Sequence, residues 1–276
     1  MHFVESHGRD IYHESQGSGP AILLLHGAGS NAATWWQQLP VFAAHHRCVT
    51  MDIRCFGRSV APTTEFAMPL FVDDTLAVLD ELGIDRAAIV GQSLGGMIGL
   101  QLALQHPDRV AAFVACDSTL AINHPVLLER LERRNIAQAG ASIEQRSLGA
   151  WFLREQPALV ALYAQINHFN PSAHRIPAAE WRAALSGLIE PGKLTPLARL
   201  ADVRCPTLFV VGSEDPLVPV SVMHDVSTLV PGSEVVVIDQ AGHSAYFEKA
   251  AQVNGHVLDF IGRRALWHRS PTVEGR

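Results

Sequence analysis

Two rhythms alternate along the chain. Six short runs are too apolar to point alternately in and out: AILLLHG (21–27), RCVTMDI (47–53), AAIVG (87–91), VAAFVACD (110–117), PTLFVVGS (206–213) and SEVVVIDQ (233–240). Continuous burial of this kind suits strands covered on both faces, as in a parallel sheet. HFVES and DIYHE on either side of HGR predict an opening hairpin. Helical patterns such as PLFVDDTLAVLDELG (69–83) lie between the middle strands. Strands alternating with helices imply right-handed crossovers on a mostly parallel sheet. The predicted fold class is α/β, with about eight strands and helices on both faces.

One segment breaks the rhythm. From Asn123 to Arg199 only helical pieces such as VLLERLERRNIAQAG and SIEQRSLGAWFLREQ appear, punctuated by Pro157, Pro171, Pro177, Pro191 and Pro196. Each proline works against a continuous helix, and the stretch is longer than one crossover needs. It is predicted to be a helical insertion between the sixth and seventh strands. Residues 1–122 and 200–268 then form one core, 123–199 the insertion and 269–276 a polar tail.

Composition removes several classes of function. A chain of 276 residues, 48% of them apolar, can fill a sizeable core. Its net charge of −6 gives no electrostatic reason for a nucleic-acid partner. No apolar run approaches the roughly 20 residues that span a bilayer, and the N-terminus lacks the basic-then-apolar pattern of a secretory signal. Cys48, Cys55, Cys116 and Cys205 form no C-x-x-C pair, so reduced, buried thiols and a cytoplasmic location are expected. A homodimer stays open as the assembly.

The candidate chemistry gathers at strand ends. In GQSLGG (91–96) a serine sits between a strand and a helix, flanked by Gly91 and Gly95. That is the context of a G-x-S-x-G elbow, in which a sharp turn exposes a serine hydroxyl and small neighbours relieve the crowding. Such a hydroxyl needs a base. Of the 14 histidines, His243 follows the last strand; His45, His46, His106, His168 and His224 read as surface groups. The base needs an orienting carboxylate. Asp215 after the seventh strand supplies it, Glu214 reads as loop surface, and Asp117 after the sixth strand is the reserve acid. The order Ser, Asp, His is that of an elbow-type site. In LLLHGAGSN, Gly27, Ala28 and Gly29 are small enough for backbone N–H groups to approach a substrate oxygen, while His26 is expected to brace the loop. The Ala28 and Leu94 N–H groups are the predicted oxyanion donors. No nucleotide loop and no H-E-x-x-H pattern occurs, and the pair His45–His46 lacks a third ligand nearby. Neither metal nor cofactor is expected.

HGAGS, DIRCFGRS, GQSLGG, GSEDPLVP and AGHSAYFE, in this order and spacing, resemble the α/β-hydrolase superfamily along nearly the whole chain. The resemblance implies Ser93 as nucleophile, His243 as base, Asp215 as acid and the insertion as a helical cap. Cys55 stands where many relatives have glycine, and a side chain there is expected to narrow the pocket or shift the loop. A serine at the elbow, rather than the aspartate of epoxide- and halide-processing relatives, implies attack on a carbonyl. The resemblance is to carboxylesterases and enol-lactonases, and equally to hydrolases that split carbon–carbon bonds in ring-cleavage diketones. The expected partner is a small-molecule ester, lactone or diketone. Within the cap, Trp151, Phe152, Tyr163, Phe169 and Trp181 divide between packing and pocket wall. Trp151 and Tyr163 are predicted to touch substrate, together with Gly27. At least one of Trp35 and Trp36 is expected to pack, and Met97 to line the floor. Arg146, Arg154, Arg175 and Arg182 are candidates for gripping a substrate carboxylate.

Overall fold

The computed structural model describes residues 2–137, 141–168 and 176–267. Eight strands form one sheet: β1 (His2–Ser6), β2 (Arg9–Gln16), β3 (Ala21–Leu25), β4 (Arg47–Met51), β5 (Ala87–Gln92), β6 (Val110–Cys116), β7 (Thr207–Gly212) and β8 (Glu234–Ile238). Their spatial order is β1-β2-β4-β3-β5-β6-β7-β8. β1 and β2 form the predicted hairpin, β2 runs antiparallel to β4, and all later neighbours are parallel. Of the six apolar runs, β3, β5, β6 and β7 are buried along their whole length and β4 along all but Arg47, whereas β8, at the edge of the sheet, is only partly covered and leaves Val237 exposed.

The helices of the core are α1 (Leu39–Phe42), α2 (Met68–Glu81) and α3 (Leu94–Gln105). The insertion holds α4 (Pro125–Ala137), α5 (Ile143–Ser147), α6 (Ala150–Glu155), α7 (Pro157–His168) and α8 (Ala178–Leu188). The core resumes with α9 (Val220–Leu229), α10 (Ala245–Glu248) and α11 (Ala250–Arg264). The alternation of side chains along each strand divides the apolar core between the two faces. Leu23 and Leu25 pack with Val78, Ile98 and Val226 of α2, α3 and α9. Ile22 and Leu24 pack with Phe42 and Phe260 of α1 and α11.

Among the described residues between β6 and β7 there is no strand. The two ends of the insertion meet instead: Asn123 N–H donates to the Thr195 carbonyl (2.9 Å), and Thr195 N–H to that of Ala121 (2.8 Å). The excursion therefore leaves and re-enters the core at one point.

The chain passes from β3 outward to β4 and returns to place β5 on the other side of β3. A crevice opens at the carboxyl ends of parallel strands where the order reverses in this way. The loops after β3 and β5 both emerge there.

Candidate active site

The β5–α3 turn has a specific steric logic. Ser93 sits at φ 48°, ψ −107°, a conformation that costs an L-residue roughly 1–3 kcal/mol unless its surroundings hold it. Its N–H donates to the Cys116 carbonyl (3.0 Å), and its own carbonyl accepts from Met97 N–H (3.1 Å) and Ser118 Oγ (2.7 Å). A Cβ on Gly95 would lie 2.1 Å from the Leu25 carbonyl oxygen, and one on Gly91 would lie 2.2 Å from that of Gly95. Only glycine lets the turn pass this close to β3.

The strained turn aims the serine at a histidine. Ser93 Oγ is 3.0 Å from His243 Nε2, and His243 Nδ1 is 2.8 Å from Asp215 Oδ2. The other Asp215 oxygen accepts from the N–H groups of Leu217 (2.7 Å) and Val218 (3.0 Å), which fixes the carboxylate in the β7–α9 loop. Asp215 and His243 are buried, whereas Ser93 is partly exposed. The hydrogen-bonded chain is thus open to solvent at Ser93. With Nδ1–H donating to Asp215, Nε2 is left as the acceptor facing the hydroxyl.

The β3 loop closes the other side. His26 is fully buried; its Nδ1 donates to the Gly27 carbonyl (2.8 Å), and its Nε2 accepts from Ile53 N–H (2.9 Å). Burial holds the imidazole below its usual range, so it stays neutral and serves as the expected brace. The His26 carbonyl accepts from Gly95 N–H (3.1 Å), tying loop to elbow. Asp52 supports the loop from behind, accepting from Ala32 N–H (2.7 Å) and from Arg58. A Cβ on Gly27 would meet Gln92 Oε1 and come within 3.3 Å of Ser93 Cβ, so Gly27 lies beside Ser93. Leu94 is the first residue of α3, and its N–H has no intrahelical acceptor. Among the described residues neither the Leu94 nor the Ala28 N–H meets a protein acceptor.

Other candidates sit elsewhere. Asp117 does not touch His243: its carboxyl accepts from Gly212 N–H (2.8 Å) and Ala245 N–H (2.9 Å), bracing β7 and α10. Burial and the nearby Asp215 charge push it well above the carboxylate range. Glu214 accepts from Trp151 N–H (3.2 Å), so it anchors the insertion rather than lying idle on the surface. The face of Trp151 is covered by Lys249 Nζ at 3.5 Å from the ring centroid. Tyr163 is 4% exposed; its hydroxyl meets Ser244 Oγ (2.9 Å) and its ring packs edge-on against Phe247. These contacts tie both residues to the core. Phe152 is buried, Trp181 stacks on Phe56, Trp35 packs on Tyr246, and Trp36 is exposed. Phe169 and Arg175 lie outside the described residues. Arg154 pairs with Glu155 on the surface, and Arg146 and Arg182 are exposed. The Cys55 thiol is buried and directed to the Pro62 carbonyl (3.4 Å). Its φ of 73° gives the reason relatives would favour glycine there.

Gln92 and Glu248 lie within GQSLGG and AGHSAYFE, but their roles come only from long-range contacts. Gln92 Nε2 donates to the His243 carbonyl (2.7 Å), joining the elbow to the histidine turn. Glu248 bonds to the backbone before His243 and to the insertion. Neither has a spacing rule that would flag it.

Leu94, next to Ser93 in the chain, belongs to an apolar cluster that also holds Leu120, Leu217 and Val218, with Met97 and Ala28 packed against it. Among the described residues no group of three or more His, Cys, Asp or Glu could hold a metal ion. No described helix is long and apolar enough to cross a membrane.

Comparison with known proteins agrees in one direction. A family model described as "alpha/beta hydrolase fold" matches residues 20–250. The pimeloyl-[acyl-carrier protein] methyl ester esterase of Aeromonas hydrophila is 28% identical, over 90% of this chain and 98% of its own. The 2-hydroxymuconate semialdehyde hydrolase of Pseudomonas sp. strain CF600 is also 28% identical, over 92% and 90%. The solved structure of Est816, described as an N-acyl homoserine lactone degrading enzyme, superimposes with a TM-score of 0.79 at 30% identity, covering 94% of this chain and 99% of that one.

Proposed function

The chain belongs to the alpha/beta hydrolase fold family and is a hydrolase, and from that premise we propose that it cleaves small carboxylic esters or lactones through a Ser93–His243–Asp215 triad. The observation that carries this reading is the continuous pair of contacts, 3.0 Å from Ser93 to His243 and 2.8 Å from His243 to Asp215, beside two unengaged N–H groups.

In the first half-reaction His243 Nε2 takes the Ser93 proton while Oγ attacks the substrate carbonyl. Asp215 stabilises the imidazolium through Nδ1–H. The oxyanion is held by the Ala28 and Leu94 N–H groups at the N-terminus of α3, where the helix dipole adds to the donors. Each such donor contributes about 3–4 kcal/mol to the transition state. The oxyanion collapses to the acyl-enzyme, and His243 gives its proton to the departing alkoxide. In the second half-reaction water, activated by the same histidine, attacks the acyl-enzyme and regenerates Ser93. The insertion acts as the cap of the pocket, and Gly27 keeps its floor open beside Ser93.

The apolar surroundings of the elbow support an uncharged acyl group. The second reading, carbon–carbon cleavage of a vinylogous diketone, is supported by the likeness to the semialdehyde hydrolase and uses the same relay. Turnover of p-nitrophenyl acetate and butyrate, an enol-lactone and a ring-fission diketone, measured in parallel, separates them. Ester or lactone turnover with no diketone cleavage is expected. Diketone cleavage with feeble ester turnover replaces the first reading with the second.

A further inference from the structure

One carboxylate joins the insertion to the turn that carries the proposed base. Glu248, on α10 and 7% exposed, accepts from Gly149 N–H through Oε2 (2.9 Å) and from Gly242 N–H through Oε1 (2.9 Å). Gly149 is the N-cap of α6, and Gly242 immediately precedes His243. A third bond runs alongside, from His243 N–H to the Ser147 carbonyl (2.6 Å). The two segments approach so closely that a Cβ on Gly149 would lie 2.9 Å from Gly242 N and 3.1 Å from Glu248 Oε2.

We propose that Glu248 is a positioning residue, a latch that fastens the start of α6 to the histidine turn, so that opening of the insertion and displacement of His243 are one event. The role of His243 in this proposal rests on the hydrolase reading above; the latch itself does not. A single side chain satisfies one donor from each segment, and releasing it leaves both N–H groups buried without an acceptor.

The latch has a pH dependence whose sign follows from its surroundings. Burial pushes the Glu248 carboxyl up to about 7, against the opposing effect of its backbone donors and with a further push from the charge of Asp215. The other charged or titratable groups around it are Glu214, also close to Gly149, Asp117 at the end of β6, His243 on the same turn, and Lys249 next in the chain. A carboxyl that holds its proton more tightly when latched than in solvent favours the latched state at low pH. Raising the pH through about 7 favours release. Relative to an ordinary solvated carboxyl, the opening constant is expected to rise about tenfold between pH 6 and pH 8.

Amide hydrogen exchange of the whole protein tests this without depending on turnover. Peptides spanning residues 147–151 and 241–243 are followed at pH 6 and pH 8, with the intrinsic pH dependence of exchange divided out. Both segments are expected to lose protection together at pH 8, by about tenfold. In Glu248→Gln, the neutral counterpart of the protonated carboxyl, neither segment is expected to show a pH step, in exchange or in turnover per phosphonate-reactive site. In Asp117→Asn the step is expected to persist. Unrelated exchange of the two segments, no step in the wild type, or a step unchanged in Glu248→Gln overturns the latch. Should Glu248→Gln not fold, the wild-type step and its shared amplitude still decide. Loss of the Ser93 reading would leave these exchange results intact, so the two failures are distinguishable.

Discussion

Replacing Asp215 by asparagine puts the proposed relay under its most informative strain. Two backbone donors, Leu217 and Val218 N–H, converge on Asp215 Oδ1 at 2.7 and 3.0 Å. In Asp215→Asn they hold the amide oxygen in that position and turn the NH2 toward His243, 2.8 Å away in the native protein. Nδ1 must then accept, which moves the ring proton to Nε2. That nitrogen faces Ser93 Oγ at 3.0 Å and, once protonated, no longer accepts the serine proton. The side chain keeps its shape and the fold is expected to survive, but kcat is expected to fall about ten-thousand-fold, about 5.5 kcal/mol. Asp117→Asn is the matched control. Asp117 accepts from Gly212 and Ala245 N–H rather than from His243, and burial pushes its carboxyl well above the usual range. It is expected to lose less than about tenfold, since no transition-state contact is removed. Initial rates on p-nitrophenyl butyrate, normalised to folded protein from thermal melts, measure both. Asp215→Asn retaining more than a tenth of wild-type kcat, or Asp117→Asn losing as much as Asp215→Asn, would refute the reasoning.

Two further expectations concern the core. Arg54 is fully buried and held by Asp74 at 2.6 and 2.8 Å and by Glu65 at 2.7 Å; Asp74→Ala leaves much of that charge uncompensated and is expected to cost about 3–5 kcal/mol in urea unfolding. A loss below about 1 kcal/mol would mean that water or a neighbour replaces Asp74. Burial raises the Cys48 and Cys55 thiols to about 12 and Cys205 to about 11, and Cys116 is fully buried. Ellman's reagent at pH 8 is therefore expected to find no reactive thiol in the native protein and four after unfolding. Rapid native labelling of Cys55 would contradict its burial.

The parts legible in the sequence are those that local pattern dictates. AILLL and LFVV read as buried strands because every position is apolar, and GQSLGG reads as a turn because only glycine tolerates its close approach to β3. Asp215 and His243 were legible from their places after strands, since parallel strands deliver their ends to one edge. Contacts between distant segments were not. Asp117 is an acid at a strand end, as Asp215 is, and only the packing of Gly212 and Ala245 around it gives it a different task. Trp151 and Tyr163 carry the right chemistry for a pocket wall, but an aromatic ring in a helix does not announce which neighbour will cover it. Glu248 joins residues 99 apart in the chain, a pairing that no periodicity encodes.

Everything proposed for the reaction depends on Ser93 as the nucleophile. The most direct measurement is intact mass and peptide mapping after treatment with a fluorophosphonate, for wild type and Ser93→Ala, alongside turnover of the ester that the wild type cleaves best. One adduct per chain is expected, located on Ser93, with neither adduct nor turnover above background in Ser93→Ala. An adduct on another residue, or full ester turnover by Ser93→Ala, would contradict it.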